Sequence, residues 1–177
     1  MAILKKCAIF WVKCDPAKPN GKMDPNKPQW EAQLRTKDKA QAKEWKDNFL
    51  PVKLVEDEKE GVYYRANIRK RAKKADGTPN KPVNVVDGSK KPLDPNRIGN
   101  GSIANVRVFI YEYPASTGGM KKTAMLTDLQ ITTLNEYVPK PREDDFDEEE
   151  TIVNAAGGMQ DNSDISDDDT KEEDIPF

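Results

Sequence analysis

The sequence predicts a mainly β fold, a small antiparallel barrel with one short helix and long loops, followed by a disordered acidic tail. Three observations lead there. Several segments alternate apolar and polar residues with period two, the pattern of half-buried strands. A single segment carries helical spacing. Charge is split along the chain: residues 1–142 hold 28 Lys and Arg against 16 Asp and Glu, whereas residues 143–177 hold Lys171 against 15 acids. The net charge of −2 therefore conceals a basic body of +12 (28 minus 16) and a tail of −14 (1 minus 15). The first 142 residues suit one domain, which at that size buries roughly two-thirds of its unfolded surface; the tail is too polar to pack.

Ala2 to Lys13 is rich in β-formers around Ala8-Ile9-Phe10-Trp11-Val12 and reads as a strand. Asp15 to Pro28 has four prolines and reads as a loop. Gln29 to Thr36 alternates, with Trp30, Ala32 and Leu34 on one face and Glu31, Gln33 and Arg35 on the other. From Asp38 to Leu50 the period changes: Ala42, Trp45 and Phe49 make the stripe of an amphipathic helix. Thr36 or Asp38 suits its N-cap and Pro51 forbids its continuation.

Gly61 to Arg71 returns to alternation, with Val62, Tyr64, Ala66 and Ile68 toward the core and Tyr63, Arg65, Asn67 and Arg69 outward. A basic loop follows, then a short strand from Val83 to Asp87 and a second Pro, Gly and Lys-rich loop to Gly101. Ser102 to Tyr113 is the longest strand, with Ala104, Val106, Val108 and Ile110 on one face and Asn105, Arg107, Phe109, Tyr111 and Tyr113 on the other. Gly118-Gly119 makes a turn into a last strand or pair, Lys122 to Leu134. With five to seven strands, one helix and no βα alternation, a closed or nearly closed antiparallel barrel fits best, because closure removes sheet edges. The five-stranded OB-fold accepts such an inserted helix and such loops.

Composition narrows the chemistry. With no histidine in the chain, the usual general base and the Ser-His and Cys-His pairs are missing, so an enzyme is not expected. Cys7 and Cys14 are too few for a structural zinc site, and no cofactor or metal is expected. Gly99 to Ala104 matches G-x-G-x-x-A, but a loop precedes it and a β-rich run follows, so it is not a dinucleotide site; no P-loop is present. No run approaches the roughly 20 apolar residues of a membrane span, and the first residues lack the order of a signal peptide. A cytoplasmic protein with no membrane partner is expected.

The outward faces of the two long strands point to single-stranded nucleic acid. Lys and Arg neutralise phosphates, and aromatic rings stack on bases for about 1–3 kcal/mol each. The candidate phosphate contacts are Arg65, Arg69, Lys70, Arg71, Lys73, Lys74, Lys90, Lys91, Arg107, Lys121 and Lys122, and the candidate stacking rings are Tyr63, Phe109, Tyr111 and Tyr113. The competing reading puts Phe109, Tyr111 and Tyr113 in a second core layer under the Lys-rich loop and leaves the lysines as solvated loop tips. The tail's acids are a solvated run, with no scaffold to hold a metal. Its tip differs: an apolar Ile-Pro-Phe ending in a carboxylate suits a pocket with a basic rim.

That tip, Glu172-Glu173-Asp174-Ile175-Pro176-Phe177, resembles the terminus of bacterial single-stranded-DNA-binding proteins. The body is more similar to the phage replication members of that class, in Pro82 to Asp87, in the Ile98 to Ser102 turn and in Leu126 to Ile131. The resemblance implies an OB-fold, binding of single-stranded DNA without strong sequence preference, and a role in phage replication, recombination or repair within the bacterial host. It also implies a tail that competes with DNA for the basic groove, and a tip (Asp174, Ile175, Pro176, Phe177) that recruits replication and recombination proteins. A second copy of the chain is a further candidate partner. An RNA-binding OB or cold-shock-like module and a protein-interaction adaptor are the alternatives.

Overall fold

The computed structural model describes residues 1–139. The acidic tail 143–177 and its tip Asp174–Phe177 lie outside the described residues. Seven strands are hydrogen-bonded in one sheet: β1 (Ala2–Lys13), β2 (Gln29–Thr36), β3 (Val52–Asp57), β4 (Gly61–Arg71), β5 (Asn84–Asp87), β6 (Ser102–Pro114) and β7 (Met120–Thr133). Their order is β3-β4-β2-β1-β6-β7-β5, antiparallel except for the β5–β7 pair.

The expected closed five-stranded barrel is not formed by these hydrogen bonds. β4 and β7 come close in space, but neither offers the other a free edge along its whole length. β3 pairs with β4 from Gly61 to Ala66, and β5 pairs with β7 from Asp128 to Ile131. The two short strands occupy what closure would need. The result is a curled, open sheet. The barrel expectation overlooked β3, whose Val-Lys-Leu-Val-Glu-Asp run has no period-two pattern and becomes a strand only through its ladder to β4.

One face of the curl is the core: Leu4, Ile9, Leu34, Ile68, Val106 and Leu129 are buried there together. The one α-helix among the described residues, α1 (Lys39–Asp47), buries Ala42 and Trp45, and Trp45 joins this core. Asp38 caps α1, its Oδ1 accepting from the Ala40 N–H at 2.8 Å. The C-terminus is a Schellman turn: the Phe49 N–H donates to Lys46 O at 2.9 Å and the Leu50 N–H to Trp45 O at 3.0 Å. Phe49 takes the left-handed conformation there, with φ 62°. The expected stripe therefore loses its third member, because the chain reverses hand at Phe49 and leaves that ring exposed. No helix among the described residues is long and apolar enough to cross a membrane.

On β4, Ala66 and Ile68 are buried as the alternation predicts. At its start the prediction inverts: Val62 is exposed and Tyr63 buried, since this end reaches past the core and is covered on its other face.

Candidate nucleic-acid interface

Strand register makes the non-core side one continuous surface. On β4, Arg65, Asn67, Arg69 and Arg71 stand beside Arg35, Gln33, Glu31 and Gln29 of β2. Ala8 and Phe10 of β1 follow, and then Ile103 and Arg107 of β6, opposite Ala8 and Ile3. Beyond Val108, β6 pairs only with β7, and the two continue as an arm carrying Phe109, Tyr111 and Tyr113 opposite Met125, Thr123 and Lys121.

The three arm aromatics are between 39 % and 41 % exposed, and the Tyr111 and Tyr113 ring centroids lie 6.2 Å apart. They are not a second core layer. Tyr63 is on the same face but only 7 % exposed, because the Arg35 guanidinium lies over it with Cζ 4.9 Å from the ring centroid. A base would have to displace that guanidinium to stack there.

The cations separate into groups. Arg69 and Arg71 are exposed and Arg65 half-buried; none has an ion-pair partner among the described residues. Lys73 and Lys74 continue from them into a turn built on Asp76, whose Oδ1 accepts from the Thr78 hydroxyl at 2.6 Å and its N–H at 2.9 Å. Those bonds hold the Asp76 carboxyl below its usual range. Lys70 alternates to the other side; burial lowers its pKa, against the attraction of Asp128. Arg107 is drawn to Asp128, 3.6 Å away. Lys121 accompanies Tyr113, whereas Lys122 faces the other way, 3.3 Å from Glu112 and 5.6 Å from the Phe49 centroid. Lys90 and Lys91 belong to the turn after β5, at the end of the strand order away from β4.

The surface also holds three residues to which the sequence assigns no role: Phe10, Trp11 and Arg35. Arg35 lies between two rings, its Cζ also 4.3 Å from the Phe10 centroid. Its Nε donates to Gln33 Oε1 at 2.6 Å and its Nη1 to Glu60 Oε2 at 2.7 Å. A cleft of about 310 Å³ opens here, lined also by Lys6, Lys37 and Gln41. Beside it, Trp11, Lys13, Gln33 and Asn67 border a second cleft of about 230 Å³. Periodicity could not place Phe10 and Trp11, since β1 carries register shifts between Leu4 and Cys7 and between Phe10 and Lys13, and each shift resets which residues face out.

No family model matches the sequence, and no curated protein matches it. Among solved structures, the chain is similar to the crystal structure of gp2.5, a single-stranded DNA binding protein encoded by bacteriophage T7. The similarity has 17 % sequence identity, covers 86 % of this chain and 98 % of that chain, and gives a TM-score of 0.47. Likeness of this degree carries no residue-by-residue correspondence.

Proposed function

We propose that the chain binds single-stranded DNA without strong sequence preference, coating and protecting it in phage replication, recombination or repair. The observation that carries this reading is the outer face itself. Three half-exposed aromatics on one strand stand, by register, on the same face of the sheet as Arg65, Arg69 and Arg71, the rings toward one end and Arg69 and Arg71 toward the other. Water-exposed faces do not ordinarily hold such rings, and one face carrying both rings and unpaired cations suits a strand whose bases stack and whose phosphates need neutralising. Lys73, Lys74, Arg107 and Lys121 extend the cationic path; Phe109, Tyr111 and Tyr113 are its platforms.

The finer reading of the fold is an OB-type barrel with two additions. On this reading β4, β2, β1, β6 and β7, neighbours in that order, are the five strands of a barrel left open, and β3 and β5 are appended at its two ends. The acidic tail acts as a competitor for the groove, and its Ile175-Pro176-Phe177 tip as a hook for replication proteins in the host cytoplasm. No chemistry on substrates is assigned.

The test is a titration of the full chain with single-stranded DNA at several salt concentrations. Neutralising ~6 phosphates gives a log–log slope near −4 for a single strand. A salt-insensitive affinity sinks the proposal, and a matched RNA oligonucleotide that wins in competition redirects it to RNA.

A further inference from the structure

Trp11 is the one tryptophan on the surface, 59 % exposed against 3 % for Trp30 and 0 % for Trp45. It is also held in an unfavourable backbone conformation, with φ 51°, where a bulky residue is rare. Its neighbours enforce this. The Trp11 N–H donates to Asn100 Oδ1 at 2.8 Å, and one turn residue further the Gly101 N–H donates to Ile9 O at 2.9 Å. The Gly99–Ser102 turn thus grips β1 on both sides of Phe10 and fixes the bulge that turns the indole outward. Strain persists only where the surroundings impose it, and it concentrates at binding sites.

The cleft beside the indole has a definite polarity. Gln33 Nε2 donates to Asn67 Oδ1 at 3.0 Å, and Gln33 Oε1 accepts from Arg35, so each amide oxygen already holds one bond. Each oxygen of Glu31 likewise accepts one bond, from the Asn20 and Gln29 amides. The groups with no bond at all are donors: the Asn67 Nδ2, which has no partner among the described residues, and the Lys13 ammonium, which has no ion-pair partner among them. At about 230 Å³ it has room for one planar ring system, being several times the ~30 Å³ share of a water.

We infer that this cleft is a single-base subsite in which one nucleobase stacks on the Trp11 indole and presents its carbonyl edge to Asn67, with Asn100 as the residue that positions the indole. The inference rests on the reading of the chain as a single-stranded-DNA binder and adds to it a base preference. Thymine and cytosine carry ring carbonyl oxygens that complement the donors. Adenine carries none, and is the poorest fit.

The experiment follows binding of oligo-dT and oligo-dA of about 20 nucleotides to the full chain, by fluorescence anisotropy of labelled DNA and by tryptophan emission. Oligo-dT is expected to bind more tightly and to quench the emission. Trp11→Ala should abolish the quench and weaken oligo-dT binding roughly 5- to 150-fold, the loss of one base stack. Trp11→Phe should restore most of the affinity, which a merely misfolded surface would not do. Asn67→Ala should narrow the dT-to-dA ratio. Asn100→Ala should reduce the quench while the melting temperature stays within a few degrees. Binding by anisotropy with no quench, and with Trp11→Ala at wild-type affinity, overturns the subsite and leaves the binding function standing. Failure to bind any oligonucleotide at low salt overturns both.

Discussion

Glu60 and Arg35 form an ion pair, 2.7 Å between Oε2 and Nη1, that anchors one edge of a guanidinium lying between the rings of Phe10 and Tyr63. The Arg35 side chain is 15 % exposed and that of Glu60 49 %, so the acid is the freer partner. A phosphate approaching the cleft meets a cation whose charge is already answered. Glu60→Gln should therefore tighten single-stranded DNA binding a few-fold at low salt, with the gain shrinking as salt screens both charges. Equal affinities of the two proteins at every salt concentration would place the cleft off the DNA path.

The proposed function includes competition of a second kind, between the acidic tail and DNA. On that proposal the 15 acids of residues 143–177 contend with phosphates for the same cations, an attraction that salt screens. Truncation after residue 142 should tighten DNA binding, most visibly at low salt. An unchanged titration would leave the tail with partner recruitment alone.

The Gly99 turn has no slack. A Cβ there would sit 2.7 Å from the Asn135 carbonyl oxygen and 3.2 Å from the Tyr137 nitrogen, both backbone atoms. Overpacking of this kind costs typically about 1–3 kcal/mol, so Gly99→Ala should lower the melting temperature by several degrees. The same turn holds buried Ser102, whose hydroxyl donates to Gly99 O at 2.8 Å and accepts from the Asn135 N–H at 3.0 Å. Ser102→Ala strands that N–H, and calorimetry should register a further loss of about 1–3 kcal/mol.

Burial pushes the Cys7 and Cys14 thiols up from 9.0 to about 12 each. The folded state keeps its thiol protons where the unfolded chain would lose them. Their contribution is thus whole below pH 9 and declines as pH rises from 9 toward 12, by at most about 1.4 kcal/mol per pH unit for each thiol. Denaturation midpoints measured across that window should fall, and a disulfide-exchange reagent at pH 8 should find no reactive thiol until the protein unfolds.

Alternation revealed much of the fold because it acts residue by residue. β2, the second half of β4 and the first half of β6 have the faces their patterns predict, and with them come Arg65, Arg69, Arg71 and Arg107 on one surface. What stayed hidden depends on partners distant in the chain. β3 exists through its ladder to β4. The exposure of Phe49 follows from a turn that reverses hand, and the burial of Tyr63 from an arginine that covers it. Trp11 is turned out by an asparagine 89 positions later, which no local period records. The open sheet has the same origin: whether β4 meets β7 is decided by the edges of β3 and β5, not by either strand's own residues.

The β6–β7 arm has a consequence of a different kind. Past Val108 its two strands bond only to each other, and at its tip a Cβ on Gly118 or Gly119 would meet nothing within 4 Å. Six residues, Phe109 to Pro114, reach about 20 Å at strand rise. The arm behaves as a ruler: residue pairs can be inserted or removed at its tip without opening the core. Each such pair would move the far end of the proposed binding surface by a fixed increment, so that, on that proposal, the length of DNA occupied per molecule becomes a quantity that evolution or an engineer can set one rung at a time.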